Sequence, residues 1–241
     1  MRCAAGILFA VPVEADAFAR LATDAVELQT GGLTFHEGTV AGRRVAWCVA
    51  GVGGDAAARA ARLLVAGHRP RLLVSAGFAG GLAPTLARGS AIRAARVIRP
   101  DGTAARPLAS AVSVAGHPLS LVTTDRIITT PAEKESLRAA CGAEAVDMET
   151  FAVAEIAAAE GLPCASVRVI SDGASQTLPR EVATLARPQS SMRRLGAALG
   201  AIGRRPRAAF DLWGLYENAV IDGRTLAAAL ADLCSTLPAT D

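Results

Sequence analysis

The strongest constraint on this chain is a series of short apolar runs, each of strand length and each bounded by glycine, proline or charge. They cover residues 4–10, 45–50, 72–76, 91–98, 119–123 and 164–170. Runs this short and this apolar suit strands buried on both faces of a sheet. Helical patterns fall between them, at residues 55–66, 132–140 and 149–160. Thr130-Pro131 supplies a helix cap and then a proline in the first turn, where its missing N–H costs nothing. The alternation predicts an α/β fold, with a mixed twisted central sheet surrounded by helices. There is no internal repeat and no long linker. Residues 1–177 read as the α/β core, and residues 178–241 as a helical extension packed on the same domain.

Within the extension, Met192, Leu195, Leu199 and Ile202 share one helical face. Pro206 opens a helix carrying Phe210, Trp213, Leu215 and Tyr216, and a final helix follows Asp222 and Gly223. Arg187, Arg193, Arg194, Arg204, Arg205 and Arg207 make this region basic. Such a stretch reads either as a solvated helical face or as a dock for a membrane surface or lipid. Residues 100–107 read as a surface loop.

Composition narrows the function classes. Only 4% of residues are aromatic, so the core is expected to be Ala, Val, Leu and Ile. A net charge of +3 is too small for a nucleic-acid footprint. Lys134 is the sole lysine among 25 basic residues and reads as a composition bias. The five cysteines are scattered without a CxxC pair, which argues against a disulfide scaffold or zinc site and for a reducing compartment. Cys48 and Cys164 read as small core residues. No 18-residue apolar stretch spans a bilayer. Pro12 and Glu14 interrupt the first apolar run, which reads as a core strand rather than a signal peptide. The expectation is a cytoplasmic protein.

Two segments carry the chemistry. Asp147-Met148-Glu149 opens a helical stretch, and the run 164–170 ends abruptly in Ser171-Asp172-Gly173. A strand that delivers one acid beside a helix that opens with another is how α/β proteins build sites. Each acid also has a plainer reading, Glu149 as a helix-capping charge and Asp172 as a turn residue. Two glycine loops accompany them. Gly51-Val52-Gly53-Gly54-Asp55-Ala56 fits a dinucleotide fingerprint literally, but no acid stands after the next strand, where such a site needs one. The run 75–82, Ser-Ala-Gly-Phe-Ala-Gly-Gly-Leu, closes a strand with residues small enough for backbone N–H groups to approach a ligand. No Gly-Lys-Ser/Thr follows it. A tight structural turn is the alternative for either loop.

Taken in order, Gly6-Ile7-Leu8 through Glu14, Gly51-Val52-Gly53, the 75–82 loop, Val146-Asp147-Met148-Glu149 and Arg168–Asp172 resemble the nucleoside phosphorylase/nucleosidase superfamily. Within it, the closer likeness is to the methylthioadenosine/S-adenosylhomocysteine nucleosidase-like hydrolases. Leu178-Pro179 and the Arg-rich extension resemble the hopanoid-associated branch, the adenosylhopane nucleosidases. The resemblance implies cofactor-free and metal-free hydrolysis of the N-ribosidic bond of a purine nucleoside, with adenine as the expected base. It makes Asp172 the general acid at purine N7 and Glu14 the activator of the attacking water. It makes Glu149 the ligand of the ribose hydroxyls, packs Met148 against the sugar, and adds Phe78, Gly80 and Ser171 to the substrate site. A proton-donating Asp172 needs a raised pKa or a proton relay, and Ser171 is placed to hold it. The resemblance also implies a homodimer with a small-molecule substrate, and the Arg-rich tail adds peripheral membrane contact.

Two departures from the pattern bear on the chemistry. Ser75 stands where phosphorolytic relatives carry an arginine for phosphate, and Phe78 replaces a hydroxyl residue. Water is therefore the expected nucleophile. Near the base-contacting segment 121–128, Ile127 takes the place of an aromatic residue, and Asp125 and Arg126 stand beside it. Phosphate-dependent phosphorolysis and a noncatalytic nucleoside-binding protein on the same fold are the alternatives.

Overall fold

Strand β5 (Leu73–Gly81) is the spine of the sheet. Its first half pairs in parallel with β1 (Ala5–Phe9), Gly6 opposite Leu73. Along nearly its whole length it also pairs in parallel with β11 (Cys164–Asp172). Its far end, Gly80-Gly81, pairs antiparallel with β10 (Ala145–Asp147). From β10 the sheet continues through β9 (Ser120–Thr123) and β7 (Arg96–Ile98), both parallel, to antiparallel β8 (Ala105–Pro107). On the other side β1 pairs with β4 (Arg43–Val49), then β3 (Leu33–Val40) and β2 (Thr23–Thr30) complete an antiparallel meander. The short β6 (Ala91–Ile92) runs antiparallel to β11. These facts come from a computed structural model, which describes residues 2–109, 119–178 and 206–239.

Five helices among the described residues cover this mixed sheet: α1 (Pro12–Ala19), α2 (Gly54–His68), α3 (Pro131–Cys141), α4 (Thr150–Ala159) and α5 (Pro206–Thr236). The expected α/β class is the observed one. On one side of the sheet, Ala57, Ala60 and Leu64 of α2 and Phe151, Val153 and Ala157 of α4 pack together with Leu8, Leu73 and Leu121. On the other, α1 and α5 bury Phe18, Leu226 and Leu230 against Ile7, Phe9 and Trp47. The core is largely aliphatic as composition implies, but among the described side chains most aromatics are concentrated in it. Phe18 touches both Phe9 and Trp47, the latter edge to face.

Several local expectations are corrected. Residues 91–98 form two strands, β6 and β7, with different partners rather than one. Residues 105–107 of the expected surface loop form β8. The hairpin β2–β3 carried no core-strand signal because β2 is exposed along its entire length. The expected break at Asp222-Gly223 is absent, and α5 runs through it. The glycine there serves packing, since a Cβ at Gly223 would stand 2.8 Å from the carbonyl oxygen of Val13 in α1. The face formed by Met192, Leu195, Leu199 and Ile202 lies outside the described residues, as do Arg187, Arg193, Arg194, Arg204 and Arg205.

The start of α3 follows its sequence signal. Thr130 Oγ1 accepts from Glu133 N at 3.3 Å, while Glu133 Oε2 accepts from Thr130 N at 3.1 Å, a reciprocal cap ahead of Pro131. Thr130→Ala is expected to lower unfolding free energy by about 1 kcal/mol, measured as a shift in the urea midpoint at unchanged slope.

Candidate active site

Six titratable side chains converge where β5 and β11 approach the ends of their pairing. Arg168 lies opposite Gly77 and Asp172 opposite Gly80. Arg168 is 1% exposed. Its Nη2 donates to Asp147 Oδ2 at 2.5 Å, Ser75 Oγ at 2.6 Å and Thr150 Oγ1 at 2.8 Å, and stands 3.9 Å from Glu149 Oε2. Asp147, at the end of β10, also accepts from Thr123 Oγ1 at 2.6 Å and from the backbone N of Thr150 at 3.0 Å. It therefore satisfies a free N–H at the start of α4. That leaves the Glu149 side chain free of capping duty, although Glu149 occupies the cap position.

Glu149 is held instead by the first glycine loop. Gly53 N donates to its Oε1 at 2.8 Å. Gly51 and Gly53 both adopt positive φ (96° and 97°), which only glycine does without strain and which turns the Gly53 N–H towards the carboxylate. The loop that imitates a dinucleotide fingerprint is thus a carboxylate holder. Burial pushes Glu149 up to about 7, helped by the charges of Asp147 and Glu14 and opposed by Arg168 and the Gly53 N–H.

Glu14, which interrupts the first apolar run, sits in the first turn of α1. From there its side chain folds back, Oε2 accepting from the backbone N of Ala10 at 2.8 Å and Val11 at 3.1 Å. Its Oε1 accepts from Phe78 N at 2.8 Å. Burial raises its pKa, and Arg168 and the three N–H groups pull against that rise. Gly77 explains how the two charges meet at the strand. A Cβ there would stand 2.5 Å from both Arg168 Nη1 and Glu14 Oε1.

Asp172 is aimed by a bulge. Ile170 pairs with Ala79 and Asp172 with Gly80, so Ser171 is the extra residue. Ser171 Oγ donates to Asp172 Oδ1 at 2.7 Å, and Arg88 Nε donates to the Ser171 carbonyl at 3.1 Å while its Nη2 pairs with Asp222 of α5. Gly80 leaves the space in front, where a Cβ would lie 3.5 Å from Asp172 Oδ2 and 3.1 Å from Val146. Behind Asp172 stands Lys134 of α3, fully buried, with Nζ 2.5 Å from Oδ2. Met148 and Phe78 are half-buried beside these groups in sequence.

Of the expected site residues, Glu14, Glu149, Phe78, Gly80, Ser171 and Asp172 thus fall on the adjoining ends of β5, β11, α1 and α4. The structure adds Arg168, Asp147, Ser75, Thr150 and Lys134. Arg168 was visible in the quoted Arg-Val-Ile-Ser-Asp run, and the uniqueness of Lys134 was the signal for that residue. Arg126, considered as a base contact, is exposed and pairs with Glu133 at 2.7 Å.

The match to the family model for the phosphorylase superfamily covers residues 4–120 and 109–205. This chain belongs to the phosphorylase superfamily. Among similar superfamily members, a 5′-methylthioadenosine/S-adenosylhomocysteine nucleosidase of Listeria monocytogenes is 28% identical over 203 residues, 71% of this chain and 87% of the relative. One of Shewanella baltica is 27% identical over 207 residues, covering 72% and 86%. The solved structure of the nucleosidase of that name from S. pneumoniae, with a transition-state inhibitor, superposes with a TM-score of 0.74 at 19% identity, over 96% of this chain and 98% of that one.

The raised Glu149 has a consequence for stability. The folded state holds this proton more tightly than the unfolded chain, whose glutamate titrates near 4.5. Stability contributed at this position is therefore present below about pH 4.5 and is lost as pH rises to about 7. Glu149→Gln is expected to be more stable than the wild type by an amount that grows across that window. Urea melts at about pH 5 and about pH 8 test this, and a difference independent of pH would contradict it.

Proposed function

We propose that this chain hydrolyses the N-ribosidic bond of a purine nucleoside, with adenine as the leaving base. One observation carries the reading: Glu14 and Arg168 meet at Gly77, with Glu149 3.9 Å from the guanidinium, while Asp172, three pairs further along the same two strands, faces Gly80. That arrangement supports a reading with acceptors for the ribose and the nucleophile on one side and Asp172 beside the base on the other. Family membership and the nucleosidase names of the relatives support the same reading.

In this mechanism the ionised Glu149 accepts from the ribose hydroxyls. As the bond from C1′ to the base breaks, its electron pair goes to the purine and Asp172 delivers a proton to N7. Cationic character on the sugar is stabilised by the carboxylates of Glu14 and Glu149, which the buried site leaves unscreened by water. Glu14 takes a proton from the water that adds to C1′, and burial makes it a stronger base than an exposed glutamate. Met148, Phe78 and Gly80 complete the sugar and base pocket.

Water is favoured over phosphate by the state of Ser75. This residue, where a phosphate-holding arginine would stand, is 1% exposed and turned into the Arg168–Thr150 network. Arg168 itself is engaged by Asp147. The finer substrate reading is a bulky or lipidic 5′ substituent such as that of adenosylhopane. Leu178-Pro179 and the Arg-rich extension support it and also suit peripheral membrane contact. Among the described residues no helix is long and apolar enough to cross a membrane. A cytoplasmic homodimer belongs to the same proposal.

The test is base release from methylthioadenosine, adenosylhomocysteine, inosine and an adenosylated lipid, with and without phosphate. The expected result is release of adenine independent of phosphate, reduced roughly 10²–10⁴-fold in Asp172→Asn. Ribose 1-phosphate as product would establish phosphorolysis, and tight binding without release would establish the noncatalytic reading. Because Glu149 must be ionised to bind ribose, kcat/KM is expected to fall below about pH 7. In Glu149→Gln that acid limb should disappear from the profile.

A further inference from the structure

Lys134 has no place in the mechanism above, yet it is the chain's single lysine and is fully buried. Its three ammonium hydrogens meet three acceptors: Asp172 Oδ2 at 2.5 Å, the carbonyl of Gly173 at 2.7 Å and the carbonyl of Gln176 at 3.0 Å. A compact ammonium with three rotatable donors suits that convergent set, whereas the planar fork of arginine does not. In a chain that otherwise uses arginine for every basic position, this is a geometric reason for a lysine. Burying the charge is costly, since an ion taken out of water loses its hydration. A stabilising role alone is served as well by an apolar pair of similar volume.

We propose that Lys134 is the positioning residue for Asp172 and the source of the proton that Asp172 delivers, an inference that rests on the nucleosidase reading. Oδ1 is fixed by Ser171 and Oδ2 by Lys134, so the carboxyl plane has both of its oxygens restrained. The transfer balances as a relay. One proton moves from Nζ to Asp172, and the carboxyl group so formed passes it to N7 as the base takes the electron pair of the glycosidic bond. Lys134 is left as the neutral amine. The water that adds to C1′ releases a proton to Glu14, and exchange with solvent returns Glu14 and Lys134 to their starting states. The bonds to the Gly173 and Gln176 carbonyls hold the segment after Asp172 in place during the transfer.

The experiment compares wild type, Lys134→Met, Asp172→Asn and the double variant in adenine release from the best substrate of the panel. Lys134→Met is expected to lower kcat roughly 10²-fold or more, the loss of general acid assistance, with KM changed less than about threefold. In the Asp172→Asn background the same change is expected to have no further effect, because the lysine acts through that carboxylate. Wild-type kcat in Lys134→Met overturns the proposal, and so does a loss that multiplies with that of Asp172→Asn. Should Lys134→Met leave Asp172 buried without a partner and fail to fold, the double variant carries neither charge and is compared with Asp172→Asn alone. Release of no base by the wild-type protein overturns the nucleosidase reading and this role together. Normal wild-type turnover with an unaffected lysine variant overturns only this role.

Discussion

The site depends on one buried guanidinium. Arg168 sits in mid-sheet at 1% exposure, and three carboxylates, those of Glu14, Asp147 and Glu149, are arranged around it. Desolvation presses Glu14 and Glu149 towards neutrality, and the neighbouring guanidinium offsets part of that pressure. Asp147 takes the direct ion pair. Glu149 and Glu14 share the remaining field, and burial dominates at both. The arrangement also leaves Arg168 Nε buried without a hydrogen-bond partner, a cost of about 1–3 kcal/mol. Acids perturbed in this way, by burial beside a specific cation, cluster at functional sites.

Backbone makes this packing feasible. Gly77 lets Glu14 and Arg168 close on the strand, Gly80 leaves room before Asp172, and Gly53 presents its N–H to Glu149. The Ser171 bulge then re-aims the last residue of β11 without lengthening its partner strand. Two buried cations divide the work along this strand. Arg168 pairs with Asp147 and stands 3.9 Å from Glu149, and Lys134 anchors Asp172. Support for the second anchor comes from afar, through the capped start of α3 and through Arg88, which ties Ser171 to Asp222 of α5.

Much of the site was legible because its residues lie in short contiguous segments whose local chemistry is self-announcing. An apolar strand ending in Ser-Asp-Gly, and Asp-Met-Glu entering a helix, place acids at strand and helix ends whatever the surrounding packing. What escaped notice was what depends on contacts distant in the chain. Lys134 lies 38 residues before Asp172, and only the docking of α3 against the end of β11 brings them together. Read locally, a lysine on a helix is a solvated charge. Gly223 reads as a helix break, and only the approach of α5 to the Val13 carbonyl shows that it is an interhelical contact. The exposed β2 lacks the apolar run that marks a core strand.

By itself, then, the sequence determined the α/β class, most strands of the core, the capped start of α3 and the acids at the ends of its elements. Periodicity, capping and turn chemistry act over a few residues and are written directly in residue order. The tertiary structure alone decided which acid each cation holds, which glycine makes room for which side chain, and that Asp147 rather than Glu149 satisfies the start of α4. Those outcomes follow from desolvation and from ångström-scale approach between segments tens of residues apart. Neither quantity exists until the sheet has closed around them.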